Sequence, residues 1–170
     1  MPSPAVATTS TVQLAEEIKA ELGEAWIPTI YRERIQRSRT RSYQLGIPAK
    51  NSGAEIQHTL LGIELKLGRR RTLCPDLATA RYLTVFARAG CGAVAIPYDI
   101  TQISHIADDL ESSWHRMLLM IEKVAANRSA VFRARLRRML ISQVRDEIVL
   151  AGAGTASPLF IQGTKQRRAR

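Results

Sequence analysis

The sequence has few cysteines and no long apolar run. Only Cys74 and Cys91 are present among its 170 residues, and neither belongs to a CxxC or zinc-like spacing. Both lie beside predicted core elements, so we expect buried, reduced thiols and a cytoplasmic location. No apolar stretch approaches the ~20 residues that a membrane-spanning helix needs. The opening residues lack a basic segment ahead of an apolar core, so no secretory signal is expected.

Acidic residues are scarce relative to basic ones. Lysine and arginine total 25 against 15 for aspartate and glutamate, which gives a formal net charge of +10 and a pI near 10.4. This balance favours a polyanionic partner, because basic side chains contact phosphates and release counterions. We therefore expect a nucleic acid, DNA or RNA, as the partner. The alternatives are an acidic protein partner and a basic surface that only keeps the protein soluble.

Length and composition predict one domain between two short tails. Hydrophobic residues make up 45% and charged residues 24% of the chain, which is typical of a globular protein. We expect a flexible tail over residues 1–10, an α/β domain over residues 11–152 and a flexible basic tail over residues 153–170. The predicted fold class is α/β: a small mixed sheet over residues 54–98 with flanking helices, and a C-terminal helical hairpin over residues 101–152.

The first part of the chain predicts two helices and then an arginine-rich segment. Apolar spacing predicts a helix over residues 11–26, and Pro28 begins a second, shorter helix. Arginine forks bind phosphates bidentately, and tyrosine rings stack on bases. Alternate arginines would share one face of a strand, whereas on a helix they would spread around the cylinder. This segment is the principal nucleic-acid-binding candidate, through Arg32, Arg34, Arg37, Arg39, Arg41 and Tyr43.

The next segment alternates apolar and polar residues, as strands do. Residues 55–61 and 63–67 predict two strands, with a bend or bulge at Gly62. A continuous helix through Gly62 is the alternative. A basic turn over residues 68–71 is expected to lie on the same surface as the arginine-rich segment. It extends the nucleic-acid-binding candidates to Lys66, Arg69, Arg70 and Arg71.

A capped helix and a second strand follow this turn. Asp76 is a natural N-cap, and Gly90 is a natural end for the helix. The apolar run over residues 93–98 predicts a strand that is buried on both faces. Strand, helix and strand in this order fit a right-handed βαβ crossover.

The last part of the chain carries two long apolar stripes at helical spacing. They run over residues 103–125 and 132–148, are interrupted at residues 127–129 and are closed by Gly152. A helical hairpin is expected, and it is a candidate surface for a homodimer or a protein partner. The alternative function is therefore a non-enzymatic assembly or regulatory factor. The second stripe also carries a basic face: Arg128, Arg133, Arg135, Arg137, Arg138 and Arg145.

One motif carries recognisable chemistry. Glu64 and Lys66 are two residues apart on a predicted strand, so both project from one face. Here the sequence resembles the PD-(D/E)xK, or restriction-endonuclease-like, nuclease superfamily: the pair matches E-x-K, and a helix and a strand follow in the same order. The resemblance implies that Glu64 helps to hold Mg²⁺ and that Lys66 orients or activates the attacking water.

The motif lacks the aspartate that this superfamily carries before E-x-K, since the first aspartate of the chain is Asp76. Glu55 substitutes as a catalytic and metal-binding carboxylate if its strand pairs with that of Glu64 in a hairpin; Glu16 or Glu17 are other sources. Three interpretations stay open: a metal-dependent endonuclease, an inactive relative, and an unrelated α/β protein with a cross-strand ion pair. Mg²⁺ is the only cofactor indicated, and whether the chain is an enzyme is undecided.

Overall fold

The computed structural model describes residues 9–46 and 53–154. Most of both predicted tails and the turn residues 47–52 lie outside the described residues. The helices of the described part are α1 (Thr11–Leu22), α2 (Ile27–Ile30), α3 (Leu77–Arg88), α4 (Ile100–Val124) and α5 (Ala130–Ala151). The strands are β1 (Thr40–Gln44), β2 (Ala54–Thr59), β3 (Gly62–Leu67), β4 (Arg70–Cys74) and β5 (Ala93–Pro97).

The N-terminal helices follow the predicted pattern. Ser10 caps α1 in a reciprocal box with Gln13: each backbone N–H donates to the other's side-chain oxygen, at 3.1 and 3.2 Å. The helix is shorter than expected, because Gly23 at φ 52° ends it and a 3₁₀ turn follows. The second, shorter helix is confirmed as α2, with Pro28 in its first turn and a π-helical turn after it.

The α/β class and the C-terminal helix pair are confirmed, but the strands form two small antiparallel sheets instead of one mixed sheet over residues 54–98. β2, β3 and β4 form one sheet, and β1 pairs with β5 in the other. A helix through Gly62 is therefore wrong, since Gly62 at φ 125° opens β3. The predicted βαβ crossover is also wrong, because β3 and β5 belong to different sheets. Instead, β4 pairs with the second edge of β3. The first residues of β4 lie in the predicted basic turn.

Tyrosine hydroxyls close the outer edge of β5. The Ala95 N–H donates to Tyr31 Oη at 2.9 Å, and Tyr82 Oη donates to the Ala95 carbonyl at 2.5 Å. Burial raises the pKa of Tyr82 well above its usual value, so the hydroxyl stays a donor. Tyr31 Oη in turn donates to the Gly152 carbonyl at the end of α5. This edge is therefore not free for further strand pairing.

The core is organised around α3. Asp76 caps the helix as predicted, accepting from the Thr79 N–H at 2.7 Å. Phe86 is fully buried, and its ring centre lies 5.6 Å from that of Tyr31 and 5.0 Å from that of Tyr82. The sheet of β2, β3 and β4 packs on one side of α3, and α4 packs on another. This helix therefore connects the three-stranded sheet to the helical half.

The C-terminal hairpin forms at the predicted residues. The apolar stripes of α4 and α5 are buried, and Gly152 ends α5. Cys74 and Cys91 are free and buried, as expected. Burial raises the pKa of the Cys91 thiol to about 12, although the nearby Arg145 opposes the shift. Within the described ranges, none of the helices combines the length and the apolar character needed to cross a membrane.

Candidate nucleic-acid interface

The arginine-rich segment divides into two parts. Arg32 lies 3.5 Å from Glu147 of α5, and Arg34 lies 2.5 Å from Asp109 of α4. Glu147 also accepts a hydrogen bond from the Trp26 indole N–H at 2.9 Å. The guanidiniums of Arg32 and Arg34 therefore each form an ion pair with an acidic residue of the helical hairpin.

The other three arginines, Arg37, Arg39 and Arg41, have no ion pair within the described ranges. The strand β1 begins only at Thr40, so the expected strand geometry holds for Arg41 but not for Arg37. Arg39 directly precedes the strand, and its carbonyl accepts from the N–H of Tyr98 at 3.2 Å. Arg37 and Arg39 are exposed, and Arg41 is half-buried.

Tyr98 is an aromatic residue that the sequence interpretation did not select for binding. Its side chain is 49% exposed directly after the buried strand β5, and the guanidinium carbon of Arg39 lies 5.3 Å from its ring centre. The sequence did carry one signal for Tyr98: it is an aromatic residue between a buried strand and the N-cap Asp99. Tyr98 therefore presents a stacking surface beside Arg39.

Tyr43, by contrast, packs partly into the core. Burial raises the pKa of Tyr43, and the neighbouring Cys74 adds to the shift, whereas Arg41 opposes it. Cys74 ends β4, so this pair shows that β1 runs close to β4 although the two strands belong to different sheets.

A second contact joins the same two strands. A Cβ atom at Gly46, just after β1, would lie 1.9 Å from Nη1 of Arg70, the first residue of β4. The structure thus brings Arg70 beside the far end of β1, whereas Arg41 lies at the start of that strand. We call the group Arg39, Arg41, Arg70 and Tyr98 the β1–β4 surface. Arg69 is exposed in the adjoining turn.

The outer face of the three-stranded sheet carries the E-x-K pair. Glu55, Lys66 and Arg71 face one another across the three strands, and Glu64 lies in the neighbouring row. Glu55 and Glu64 are therefore diagonal neighbours on paired strands, as the hairpin hypothesis required. Lys66 lies directly between Glu55 and Arg71, where it separates two opposite charges.

Glu64 is unusual for a carboxylate on an outer sheet face. It is only 7% exposed, and its Oε2 is buried without a hydrogen bond among the described residues. The nearest cationic atom is Arg71 Nη1, at 3.9 Å, which is longer than a hydrogen bond. An unsatisfied buried carboxylate oxygen costs stability, and it is also a chemically suitable ligand for Mg²⁺.

A complete metal centre is not formed by the described part of the chain, where no group of three or more His, Cys, Asp or Glu side chains is arranged to hold an ion. Glu64 and the exposed Glu55 are the two carboxylates on this face. Glu16 and Glu17 are exposed on α1, which packs against α4 and α5. They belong to a different part of the molecule from the E-x-K pair.

Acidic side chains of α4 are engaged by other arginines. Arg81 of α3 lies 2.6 Å from Asp108 and 2.7 Å from Glu111, and Asp109 pairs with Arg34. These acidic side chains form ion pairs with arginines of other elements. They therefore do not neutralise the β1–β4 surface.

No family model matches the chain, and the searches of curated proteins and of solved structures likewise give no match.

Proposed function

We propose that this protein binds nucleic acid through the β1–β4 surface. The observation that carries the proposal is the set of three arginines, Arg39, Arg41 and Arg70, that have no acidic partner within the described ranges. Arg39 and Arg41 lie at the start of β1, and Arg70 of β4 lies beside the chain just after the end of β1. The whole chain has a net charge of +10. Free guanidinium forks are well suited to phosphates because each offers paired N–H donors in a plane.

An exposed tyrosine beside these arginines adds a second kind of contact. Tyr98 offers a ring face for a base, and base–aromatic stacking contributes about 1–3 kcal/mol per base. Stacking requires an unpaired base, so we propose that single strands bind more tightly than duplexes of the same length. We also propose a cytoplasmic location, which the two free, buried thiols support.

A salt titration tests this proposal. Fluorescence anisotropy is used to measure the affinity of the protein for labelled single-stranded and duplex DNA and RNA over a range of salt concentrations. For at least three phosphate contacts, log K is expected to fall against log salt with a slope of about −2 or steeper on single strands, since each contact contributes about −0.7. Undetectable binding at low salt, or binding that is independent of salt, would contradict the proposal.

The second candidate function is Mg²⁺-dependent cleavage of a phosphodiester at Glu64 and Lys66. The buried Oε2 of Glu64, which has no hydrogen bond among the described residues, favours it, because buried polar atoms in native structures nearly always have a hydrogen-bond partner. Glu64, with Glu55 diagonal to it, would hold the ion, which supplies a Lewis acid for the phosphate. Lys66 would orient a water molecule on the same face.

The substitution Glu64→Leu separates a catalytic role from a structural one. It removes an unsatisfied carboxylate, so we expect the free energy of unfolding to rise by about 1 kcal/mol in urea titrations. Any Mg²⁺-dependent cleavage by the wild type is expected to disappear in the same variant. The control Glu55→Gln, at an exposed position, should change stability by less than ~0.5 kcal/mol. A wild type that cleaves neither single strands, duplexes nor junctions would remove this candidate.

The assembly-factor hypothesis has less support. The apolar stripes of α4 and α5 are used by the chain's own core, with Leu110, Leu136 and Leu140 fully buried. A partner would have to use separate exposed apolar side chains such as Leu119, Val131 and Leu150. The hairpin therefore offers no continuous apolar stripe for docking.

A further inference from the structure

Three glycines lie close together where β1, α3 and β5 meet. The N–H groups of Leu45 and Gly46 both donate to the Gly92 carbonyl, at 2.8 and 3.1 Å. Gly90 follows the end of α3 and lies two residues before Gly92. We call Gly46, Gly90 and Gly92 the glycine saddle. It forms a backbone surface with no side chains of its own, and the Arg70 guanidinium lies over Gly46.

An arginine lies on each side of the glycine saddle. Arg70 Nη1 occupies the space that a Cβ of Gly46 would need, 1.9 Å from its ideal position. On the other side, Arg145 Nη1 lies 3.4 Å from the ideal Cβ position of Gly90. One guanidinium comes from β4 and the other from α5, so the saddle joins the β1–β4 surface to the last helix.

The guanidinium of Arg145 is only partly engaged. Its Nη2 donates to Ser142 Oγ at 2.7 Å, and its Nε lies 3.6 Å from Asp146 Oδ1. Nη1 has no hydrogen bond within the described ranges, and it is the guanidinium nitrogen that approaches Gly90. Arg145 is therefore oriented by its own helix with one end of its fork left for another acceptor.

The glycine at position 92 has no local explanation. Gly46 and Gly90 have φ values of 80° and 84°, which favour glycine. Gly92 is not among the glycines with positive φ, and a Cβ there would meet only the Gly46 carbonyl, at an ordinary 3.7 Å. Neither backbone conformation nor packing therefore requires glycine at this position. Glycine is also used where another backbone must approach closely.

Further arginines continue from Arg145 along α5. Arg138 lies seven residues earlier, two helical turns along the same side, at a distance of about 10 Å. Arg135 precedes Arg138 by three residues, and no acidic residue lies between Ala130 and Arg145. Close like charges destabilise a helix, so this clustering favours an external polyanion that neutralises it.

We propose that the sugar–phosphate backbone of a bound nucleic acid crosses the glycine saddle, with Arg70 and Arg145 contacting phosphates on either side. From there it follows α5 towards Arg138. This path rests on the proposed nucleic-acid binding and assigns a role to Arg145 and Gly92. The absence of side chains allows the ligand backbone to approach within van der Waals distance while both guanidiniums reach its oxygens.

Two variants test the path by independent means. Arg145→Gln removes one phosphate contact, so we expect the salt slope for labelled oligodeoxythymidylate to become shallower by about 0.7 and the affinity to fall roughly tenfold. Gly92→Leu places a side chain on the saddle at a position where φ is not positive and where a Cβ would meet the Gly46 carbonyl only at 3.7 Å, and we expect a loss of affinity of similar size. Arg145→Lys keeps the charge and should restore most of the salt slope.

The control is Arg116→Gln on the exposed surface of α4, which removes the same charge and should leave the affinity within about twofold. If Arg145→Gln and Gly92→Leu bind as the wild type does while Arg39→Gln binds more weakly, the path is wrong and the proposed function stands. If the wild type does not bind at all, the proposed function fails and the path with it. Circular dichroism melting confirms that each variant is folded.

Discussion

Replacing Arg39, Arg41 and Arg70 together by glutamine is expected to lower the affinity for single-stranded nucleic acid by about 100-fold or more at low salt. Hydrogen bonds to charged groups contribute about 1.5–3 kcal/mol each, and the loss of three outweighs ~2.7 kcal/mol, which corresponds to 100-fold. The salt slope should also become shallower by about 2, since each contact on a single strand contributes about 0.7. Stability should change little, because none of the three has an ion pair within the described ranges.

A matched control removes the same charge from another part of the surface. Arg116, Lys123 and Arg137 are exposed on the helical side and have no ion pair within the described ranges, and their replacement by glutamine also lowers the net charge by three. When both triple variants are compared at about 0.1 M salt, we expect the control to lose less than about fivefold in affinity, because long-range attraction is screened over ~10 Å at that salt concentration. Equal losses in both triple variants would show that net charge alone determines binding, and the β1–β4 surface would then have no special role.

The substitution Phe86→Ala is expected to cost about 3–5 kcal/mol of stability, measured by urea unfolding. Phe86 is fully buried on α3, and its ring contacts both tyrosines that close the edge of β5. The cavity would weaken the contacts of α3 with both of these tyrosines. Because a domain of this size has only about 5–15 kcal/mol in total, this loss is a large fraction of the stability, and the melting temperature should fall by about 6–20 °C.

Two comparisons make this result specific. Phe86→Leu keeps most of the volume and should cost less than ~2 kcal/mol. Leu73→Ala, at a side chain that is 59% exposed, should cost less than ~1 kcal/mol. A loss below ~1 kcal/mol for Phe86→Ala would contradict the placement of α3 at the centre of the core.

The helices could be predicted because their signals are local. Ser10 with Gln13, and Asp76, are caps that act within three residues, and Gly152 ends α5 where its apolar stripe stops. Apolar spacing identified α4 and α5 almost to their bounds, since helical periodicity is written into consecutive residues. These elements required no knowledge of what packs against them.

Strand pairing could not be predicted in the same way, because partners are distant in sequence. β1 and β5 pair across some 50 residues through matches such as Ser42 with Ala95, which no local pattern encodes. The start of β4 was predicted to be a turn because Arg70 and Arg71 carry no apolar pattern. In the structure both residues are exposed. Charge alone also gave no sign that Arg34 is paired with an acid on α4.

The same limitation applied to the candidate site. The sequence identified the arginine-rich segment and the E-x-K pair, but the division of the arginines depends on tertiary ion pairs. Tyr98 and Arg145 acquire significance only from their neighbours, Arg39 and the glycine saddle. Residue type therefore predicted the kind of partner, and tertiary contacts select which residues face it.

Ultraviolet cross-linking to a single-stranded oligonucleotide, with mass-spectrometric mapping of the linked peptides, tests the central claim most directly. Binding on the β1–β4 surface predicts cross-links in the peptides that contain Tyr98 and residues 40–46, and their loss in the triple variant of Arg39, Arg41 and Arg70. Cross-links confined to α1 or to the first half of α4, where the acidic side chains lie, would contradict the claim.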